Sequence, residues 1–434
     1  MNNFKYIFNK IKNKTSKIGV IGLGYVGLPL SVLIAKKKFK VYGYDQDINK
    51  IKILNSKKSY INHIDKKNIE KVISSKNLIP TNNFSDLKKL EIIIICLPTP
   101  LTHSKKPDLS YLRNISNMIQ KRLLSSPKLI VLESTTYPGT TDEIFINKYK
   151  KKFTDGADYF MTYSPEREDP GNKKYKTESI PKVVGGNNFY SKKLISEFYG
   201  KVFKRIVPVD SNRIAEATKI YENIFRSVNI ALVNEMKFAF KKFDIDVNDV
   251  IKASSTKPFG FMPFYPGPGL GGHCIPIDPI YFSWKSKKLG FDCKFIKLAE
   301  KVNSNVPLKI VNYIKKNFKN KNKKIKILVV GLAYKKNVDD YRESPSLNII
   351  RRLKNIGYSV FYHDKYIPKI TNNREYKELV GLKSIQLSRK NYKKFDLTIL
   401  LTDHDYIDYD KLLNFSNKII DTRNAIRSNN KIIL

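Results

Sequence analysis

A glycine-rich turn near the start of the chain constrains the fold more than any other feature. Residues 17–22 have the apolar character of a short buried strand, and residues 28–35 have that of a helix. The turn between them reads Gly22-Leu23-Gly24-Tyr25-Val26-Gly27. In dinucleotide-binding folds the first glycine permits a tight turn, the second lets the backbone approach a pyrophosphate, and the third lets helix and strand pack closely. The helix N-terminus then faces the phosphates, so this stretch predicts a dinucleotide-binding domain rather than a plain strand, turn and helix.

The acid after the next strand indicates which dinucleotide is bound. Residues 40–44 form the predicted second strand, which ends at Asp45. This position lies close to the point, about 20 residues beyond the glycines, at which an acid binds the adenosine ribose. A carboxylate there would repel the 2′-phosphate of NADP, so the sequence predicts NAD as the cofactor. The cofactor contacts predicted from this region are Gly22, Gly24, Tyr25, Val26, Gly27 and Asp45.

Three further predicted strands end in polar or proline-rich segments. They cover residues 92–97, 129–132 and 159–163. In an open parallel sheet, ligands bind outside the carboxyl ends of the strands. Thr99, Thr135 and Glu166 follow these strands, and we expect them to line the ligand cleft. Helix capping is the ordinary alternative for each.

The middle of the chain predicts a long helix. Residues 212–243 contain no Gly or Pro and have apolar side chains at helical spacing. Lys219 and Asn223 are four residues apart and share a face, and Arg226 lies one turn further. A cation and an amide beside an apolar stripe are either solvated or placed to stabilise an oxyanion. The helix has more apolar surface than a small domain covers, which predicts pairing with a second copy in a homodimer.

A glycine-rich stretch beyond this helix carries the candidate nucleophile. Residues 266–278 contain four glycines before Cys274, and Asp278 follows four residues later. A thiol on such a loop beside a cation or a base is a candidate nucleophile, and a tight turn around a small buried cysteine is the alternative. The chain has three cysteines and no C-x-x-C pair. This argues against a disulfide framework or a zinc site, and it fits a reducing cytoplasm.

The last third of the chain repeats the layout of its start. Residues 325–330, 346–356 and 359–363 predict a strand, a helix and a strand, with Gly331 after the first strand and Asp364 after the second. Four cations of this region predict a second phosphate-binding site, with solvated surface charge as the alternative. They are Lys335, Lys336, Arg342 and Arg423.

These elements predict an α/β protein. The 434 residues are too many for one core. We expect two Rossmann-like doubly wound domains joined by a helical middle domain with a long central helix. The predicted boundaries are residues 1–211 for the NAD-binding domain, 212–318 for the helical domain with the cysteine loop, and 319–434 for the C-terminal domain.

The formal charge of +42 does not indicate nucleic-acid binding. The excess is mostly Lys spread along the whole chain, and no zinc-finger spacing or RNA-binding signature is present. We expect a solvated surface whose positive potential helps recruit an anionic substrate. No apolar run reaches the roughly 20 residues of a membrane span, so no membrane partner is expected. Residues 1–16 lack the features of a secretory signal, and their apolar spacing predicts a packing helix.

Taken together, the motifs resemble the UDP-glucose/GDP-mannose dehydrogenase family from residue 17 to residue 423. The resemblance runs in order through the glycine turn and six further motifs. They are Leu97-Pro98-Thr99-Pro100, Glu133-Ser134-Thr135, Ser164-Pro165-Glu166-Arg167, Lys219 with Asn223, residues 271–278, and residues 331–335 with 342–344. The resemblance implies an N-terminal NAD domain, a dimer-forming middle domain, a C-terminal UDP-binding domain, and oxidation of a sugar 6-hydroxyl to a carboxylate with two NAD.

The resemblance also implies a role for each matching residue. Cys274 would attack the C6 aldehyde to give a thiohemiacetal and then a thioester, and Asp278 with Thr135 would activate water for hydrolysis. Lys219 and Asn223 would hold the developing oxyanion. The implied substrate contacts are Glu166, Arg167, Lys219, Asn223, Arg226, Gly271, Lys335 and Arg423. The implied cofactor contacts beyond the first domain's turn are Thr99, Thr135 and Arg342.

Two motifs resemble one subtype of the family. Gly271-Gly272-His273-Cys274 and Ser164-Pro165-Glu166-Arg167 look like those of UDP-N-acetylhexosamine 6-dehydrogenases of polysaccharide pathways. The implied substrate is UDP-GlcNAc or UDP-GalNAc, with UDP-glucose as the nearest alternative; Glu168-Asp169 departs from the subtype and leaves the epimer open. A two-electron dehydrogenase of small hydroxy acids is less favoured, because it needs neither a cysteine nor a second nucleotide domain. A basic nucleic-acid-binding protein is the remaining class.

Overall fold

The structure is a computed structural model that describes residues 2–61, 64–102, 104–123, 126–168, 175–272, 274–318, 325–371, 373 and 375–426. The chain forms two compact units. The N-terminal unit comprises Met1–Glu222 and Ile280–Leu289, and the C-terminal unit comprises Asn223–Pro279 and Gly290–Leu434.

An eight-stranded sheet is the centre of the N-terminal unit. Its strands are β1 (Lys17–Ile21), β2 (Lys40–Tyr44), β3 (Leu78–Thr81), β4 (Ile92–Ile95), β5 (Lys128–Leu132), β6 (Tyr159–Tyr163), β7 (Lys182–Gly186) and β8 (Ile206–Val209). They lie in the order β3-β2-β1-β4-β5-β6-β7-β8. Neighbouring strands are parallel except for β6 and β7. This confirms the predicted doubly wound sheet.

Strand position in this sheet follows from side-chain chemistry. The four isoleucines of β4 are fully buried, as expected for an inner strand covered on both faces. The two edge strands β3 and β8 contain Pro80 and Pro208. A proline has no N–H to donate to a neighbouring strand, so it is tolerated at an edge.

Helices connect these strands and close the core. They are α1 (Asn2–Lys12), α2 (Gly27–Lys36), α3 (Ile48–Asn55), α4 (Lys66–Ser74), α5 (Ser110–Gln120), α6 (Asn147–Tyr149) and α7 (Phe189–Gly200). Ile7 and Ile11 of α1 are fully buried, which confirms the predicted packing helix. The nearly buried carboxylate of Glu91 fixes α1 because it accepts hydrogen bonds from Lys10 Nζ at 2.6 Å and Tyr6 Oη at 3.2 Å.

The predicted long helix is also present. It is α8 (Asn212–Phe240), extended by a 3-10 turn at Lys241–Phe243, and it begins in the N-terminal unit and ends in the C-terminal unit. The helices that follow are α9 (Val247–Ser254), α10 (Asp278–Lys288) and α11 (Lys294–Asn317). Helix α11 begins at Lys294 and contains Pro307 in its interior. Its buried side chains Ile296, Ala299, Val306 and Ile310 keep helical spacing past Pro307.

The C-terminal unit contains a four-stranded parallel sheet. Its strands are β9 (Lys326–Val330), β10 (Ser359–His363), β11 (Leu397–Leu400) and β12 (Ile419–Asp421), in the order β10-β9-β11-β12. Its remaining helices are α12 (Pro345–Asn355), α13 (Arg389–Tyr392) and α14 (Tyr409–Phe415). All neighbouring strands of this sheet are parallel, which confirms the predicted second Rossmann-like domain.

Some classes of site are not found in the described part of the chain. No described helix combines the length and apolar character that a bilayer crossing requires. The described His, Cys, Asp and Glu side chains form no group of three or more that could hold a metal ion. Cys96, Cys274 and Cys293 are not in disulfide bonds.

Candidate functional site

The turn after β1 has the geometry that a dinucleotide site requires. Gly22 has a φ of +93°, where a side chain is strained, and a Cβ on Gly27 would lie 1.8 Å from the Gly22 carbonyl oxygen. A Cβ on Gly24 would have no heavy atom within 4 Å. The first and third glycines are therefore required by the protein's own packing, whereas the second faces open space that a ligand can use. Tyr25 and Val26 are half-buried between them.

Asp45 closes the turn from the end of β2. Its Oδ2 accepts hydrogen bonds from the Leu23 backbone N–H at 3.0 Å and from Lys50 Nζ at 3.0 Å. Its Oδ1 accepts from the Asp47 backbone N–H at 3.0 Å. Asp45 is thus fixed against the glycine turn, at the position where an acid binds the ribose of a dinucleotide.

Replacing Asp45 with alanine should weaken NAD binding by about tenfold or more, because a charge-assisted acceptor is lost. The variant should also discriminate less against NADP, because the repulsion of a 2′-phosphate is removed. Dissociation constants for NAD and NADP measured by calorimetry test both effects. Asp47→Ala is the matched control: Asp47 caps α3 through Asn49 and should leave the NAD constant unchanged. Equal affinity of the unmodified protein for NAD and NADP would contradict the assignment.

Thr99, Thr135 and Glu166 follow three adjacent strands. They come after β4, β5 and β6, which are neighbours in the sheet and run parallel. Their positions therefore share the carboxyl edge of the sheet, as predicted. Thr99 is buried, whereas Thr135 and Glu166 are partly exposed.

A buried ion cluster lies beneath Glu166. Lys182, at the start of β7, is 3% exposed, and its Nζ lies 2.8 Å from Glu133 Oε2 and 3.5 Å from Glu166 Oε2. The same Nζ donates to the Pro165 carbonyl oxygen at 3.2 Å. Tyr199 Oη donates to the other oxygen of Glu133. A lysine in an otherwise apolar strand is the sequence signal for such a buried pair. The sequence motifs discussed above did not include Lys182.

The cluster keeps Glu166 ionised. Burial alone would raise the pKa of Glu166, but Lys182, Lys219 and the backbone N–H groups of Arg167 and Glu168 outweigh it, so the pKa lies below its usual value. Burial raises the pKa of Glu133, with Lys182 opposing. For Lys182, the two carboxylates outweigh burial and raise the pKa. Lys182 is therefore a fixed cation held between two acids.

Two other predicted substrate residues of this unit already have protein partners. Lys219 is buried, and its Nζ donates to the Glu166 carbonyl oxygen at 2.7 Å. Arg167 forms a bidentate pair with Glu222, at 2.6 and 3.2 Å, and donates to the Pro181 carbonyl oxygen at 2.8 Å. Lys219 thus touches the Glu166 segment directly, whereas a substrate could engage Arg167 only by replacing these bonds.

Glu216 on α8 anchors the loop that follows Thr135. It is fully buried, and its carboxylate accepts hydrogen bonds from the Thr141 N–H at 2.8 Å, the Thr141 hydroxyl at 2.6 Å and the Gly139 N–H at 2.5 Å. Burial raises the pKa of Glu216 to about 7, against the opposing effect of these donors. The carboxyl therefore titrates near neutral pH in the folded protein.

This pKa predicts a pH-dependent stability. Because the folded-state pKa is above the unfolded value, the folded protein binds more protons between about pH 4.5 and pH 7, and Glu216 contributes a stability that is lost as pH rises through this window. The loss is at most about 3 kcal/mol for a shift of this size. Calorimetric melting of Glu216→Gln should show a flatter pH dependence over this window. Glu222→Gln on the same helix should keep the slope, and an unchanged slope in Glu216→Gln would contradict the prediction.

The candidate nucleophile belongs to the C-terminal unit. Cys274 is exposed, and its carbonyl oxygen accepts from the backbone N–H of Asp278 at 2.9 Å, which starts the turn into α10. The preceding glycines pack where no Cβ fits: one on Gly271 would lie 2.6 Å from the Tyr334 Cβ, and one on Gly272 would lie 2.7 Å from the Tyr334 ring. The glycines thus let the loop lie against Tyr334. The subtype residue His273 lies outside the described residues, as does Asp169.

Asn223 and Asp278 meet in the same unit. Asn223 Nδ2 donates to Asp278 Oδ2 at 2.6 Å, and both side chains are buried. The predicted amide and the predicted acid are therefore hydrogen-bonded neighbours. Arg226, one turn further along α8, is exposed.

The predicted phosphate-side cations lie near the strand ends of the second sheet. Arg423 follows β12, its Nε donates to the Leu401 carbonyl oxygen at 2.8 Å, and a Cβ on Gly267 would lie 2.9 Å from its Nη1. The guanidinium of Arg342 donates hydrogen bonds of 2.7 to 3.1 Å to the carboxylate of Asp340, and the Arg342 side chain remains half-exposed. Lys335 is partly exposed on the loop after Gly331. Arg423 therefore adjoins the glycine-rich segment that leads to Cys274.

Lys237 on α8 is a further cation of this unit, and the sequence motifs did not predict it. Burial lowers the pKa of Lys237 to about 8, with the charge of Asp421 opposing and that of Arg423 adding to the shift. A lone lysine among many on a long helix gives no sequence signal for this position.

Comparison with known proteins agrees with this geometry. The chain matches three domain profiles of one family: the NAD binding domain over residues 16–203, the central domain over residues 213–305 and the UDP binding domain over residues 328–428. The fold and the dinucleotide turn define a dehydrogenase built on two Rossmann-like domains. The chain belongs to the UDP-glucose/GDP-mannose dehydrogenase family.

Similar proteins cover nearly the whole chain. Protein CapL of Staphylococcus aureus is 35% identical over 95% of this chain and 96% of its own length. The UDP-N-acetyl-D-glucosamine 6-dehydrogenase of Pseudomonas aeruginosa is 33% identical over 84% of this chain and 86% of its own. The structure of the UDP-D-ManNAc dehydrogenase from Pyrococcus horikoshii superposes with a TM-score of 0.82 at 29% identity, covering 95% of this chain and 96% of that one.

Proposed function

We propose that this protein oxidises the C6 hydroxyl of a UDP-N-acetylhexosamine to a carboxylate, in four electrons, for surface polysaccharide synthesis. The observation that carries the proposal is an exposed Cys274 on a glycine-rich loop, four residues before the buried Asp278, in a chain that also has a dinucleotide turn. Two of the named relatives, from Pseudomonas aeruginosa and Pyrococcus horikoshii, are named as dehydrogenases of UDP-N-acetylhexosamines, and their similarity to this chain supports the substrate class.

The first Rossmann-like domain fits NAD. The open space at Gly24 and the fixed carboxylate of Asp45 are the observations that support this fit. We assign the remaining cofactor contacts to Gly22, Tyr25, Val26, Gly27, Thr99, Thr135 and Arg342. NAD, when bound, supplies the acceptor for the two electrons removed in each of the two oxidations.

The proposed role of Cys274 is to hold the reacting carbon. Its thiolate adds to the C6 aldehyde to form a thiohemiacetal, and the oxidised adduct is a thioester. A covalent adduct keeps the aldehyde from escaping between the two oxidations. Exposure of the thiol on its loop supports this role, because a nucleophile must reach its substrate.

Polar residues around the reacting carbon complete the proposal. Lys219 and Asn223 stabilise the oxyanion, and Asp278 with Thr135 activates the water that hydrolyses the thioester. Glu166, kept ionised by its cations, and Arg167 contact the sugar. We assign Lys335 and Arg423 to the UDP part of the substrate, where cations pair with phosphate. Arg226 and Gly271 are assigned as further substrate contacts.

The three predicted domains, the homodimer and the cytoplasmic location remain proposals. Phe225 and Leu232 of α8 are 41% and 55% exposed, and Phe261 and Met262 after α9 are 42% and 61% exposed. Such large apolar side chains favour burial against a second copy. The three thiols without disulfides fit a reducing compartment.

Light scattering should therefore give the mass of a dimer at micromolar concentration. Leu232→Arg should shift the mass to that of a monomer, because burying an unpaired charge in an apolar contact is unfavourable. Val380→Arg, an exposed apolar site on the second Rossmann-like domain, is the matched control and should remain dimeric. A monomer for the unmodified protein would rule out the pairing.

A panel of UDP-sugars with NAD tests the substrate assignment. UDP-GlcNAc, UDP-GalNAc, UDP-ManNAc and UDP-glucose are compared by kcat/KM from NADH absorbance. We expect at least one N-acetylhexosamine to exceed UDP-glucose by tenfold or more, about 1.4 kcal/mol of discrimination. A preference for UDP-glucose would replace the proposal with the UDP-glucose 6-dehydrogenase alternative. No turnover with any UDP-sugar would contradict both.

A further inference from the structure

A cavity in the C-terminal unit has no role in the reaction proposed above. Its volume is about 530 Å³, within the range of small-molecule sites. Its wall includes His363 and Asp364 at the end of β10, and Tyr406 and Asp408 in the segment after β11. The carboxyl ends of parallel strands are where doubly wound sheets bind ligands. Among the described residues, the wall includes none of the cations assigned above to the substrate.

The charge of the wall favours an anion. Lys365, Arg389 and Lys411 contribute three cations. Asp408 is engaged by Lys411 at 2.9 Å, and Asp364 is fully buried and accepts from His404, Leu332 and Ala333. Within the described part of the chain, neither Lys365 nor Arg389 forms an ion pair with a carboxylate. Two cations therefore remain for an anionic ligand.

Aromatic rings line the same cavity. Lys365 Nζ lies 5.8 Å from the ring centre of Tyr406, and the guanidinium of Arg389 lies 5.6 Å from that of Phe415. Tyr392 packs on Phe415 with ring centres 6.4 Å apart. Rings beside cations provide stacking for a flat base and charge for its phosphate, which are the two elements of nucleotide recognition.

His363 adds an unsatisfied acceptor to the wall. Its Nδ1 lies 2.6 Å from the Ile385 carbonyl oxygen, and a carbonyl can only accept, so Nδ1 carries the proton. Burial lowers the pKa of His363, which keeps the ring neutral. Nε2 is then a buried acceptor with no partner among the described residues. A ligand hydroxyl is the kind of donor that would satisfy it.

We propose that this cavity binds a nucleoside phosphate at a site separate from the substrate residues. The base lies among Tyr392, Tyr406 and Phe415, and the phosphate meets Lys365 and Arg389. A ribose hydroxyl matches the acceptor on His363. The ligand binds in addition to the UDP of the substrate.

Equilibrium dialysis with radiolabelled UDP, on protein saturated with NAD, tests this site. The variant Lys365→Gln/Arg389→Gln removes both available cations and should weaken the cavity site at least about tenfold. The matched control Lys390→Gln/Lys393→Gln makes the same charge change at exposed neighbours of Arg389 outside the cavity wall. At a UDP concentration that fills most of the wild-type cavity site but lies below the dissociation constant of the variant site, the cavity variant should bind up to one UDP per chain fewer than the wild type, and the control should bind as many as the wild type.

The test compares the number of UDP molecules bound by the wild type with the number bound by the cavity variant. UDP bound at other sites contributes equally to both numbers. Equal numbers of bound UDP in the wild type and the cavity variant would overturn the proposal. Displacement of the extra UDP by an equal concentration of inorganic phosphate would also overturn it, because the cavity would then recognise an anion and not a nucleotide.

Discussion

Replacing Cys274 with serine should abolish formation of the sugar acid. A serine hydroxyl is a far weaker nucleophile than a thiolate at neutral pH, and we expect acid formation to fall by at least on the order of 10³-fold. NAD binding should be unchanged, because the dinucleotide turn lies in a different domain from Cys274. Acid is quantified by mass spectrometry, and the NAD dissociation constant by calorimetry.

Cys293→Ser is the matched control for this prediction. It makes the same chemical change at a buried thiol that precedes α11, and it should retain acid formation. A companion variant, Asp278→Asn, should slow hydrolysis and let a covalent sugar adduct accumulate, which intact-protein mass would detect. Acid formation by Cys274→Ser at the parent rate would exclude the thioester mechanism.

Replacing Lys182 with methionine should have the largest effect after Cys274→Ser, and it should change both the folding stability and the pH dependence of kcat/KM. The change leaves Glu133 and Glu166 together without their shared cation, and breaking a buried pair in this way costs about 3–5 kcal/mol of folding free energy. The pKa of Glu166 should rise, so the acid limb of the kcat/KM profile should move to higher pH. Urea unfolding and a pH profile measure the two effects.

Two further variants separate the charge of Lys182 from its packing. Lys182→Arg keeps the cation and should restore the acid limb of the profile, which a merely structural role would not require. Glu133→Gln combined with Lys182→Met removes one acid together with the cation and should recover part of the lost stability, as expected for coupled neighbours. An acid limb that does not move in Lys182→Met would contradict the proposed control of Glu166.

Much of the fold could be predicted from local sequence signals. The glycine turn and the acid that ends β2 identify the first Rossmann-like domain, because Gly22 and Gly27 are required by local packing and Gly24 leaves space for a ligand. The edge strands β3 and β8 carry prolines and lack a long apolar run, so their sequence does not distinguish them from loops.

The candidate site was less predictable, because its contacts join distant parts of the chain. Spacing along α8 places Lys219 and Asn223 on one face, but it gives no information on their partners. The bond from Asn223 to Asp278 and the bond from Lys219 to the Glu166 carbonyl each span more than 50 residues. The control of Glu166 by Lys182 likewise depends on β7 pairing with β6, which no local pattern encodes.

The ratio of NADH formed to UDP-sugar consumed tests the four-electron oxidation most directly. With limiting UDP-N-acetylhexosamine and excess NAD, NADH is counted by absorbance and the remaining sugar nucleotide by chromatography. Two NADH per sugar, with the uronic acid as product, is the result we predict. One NADH per sugar, with an aldehyde or ketone as product, would contradict the account.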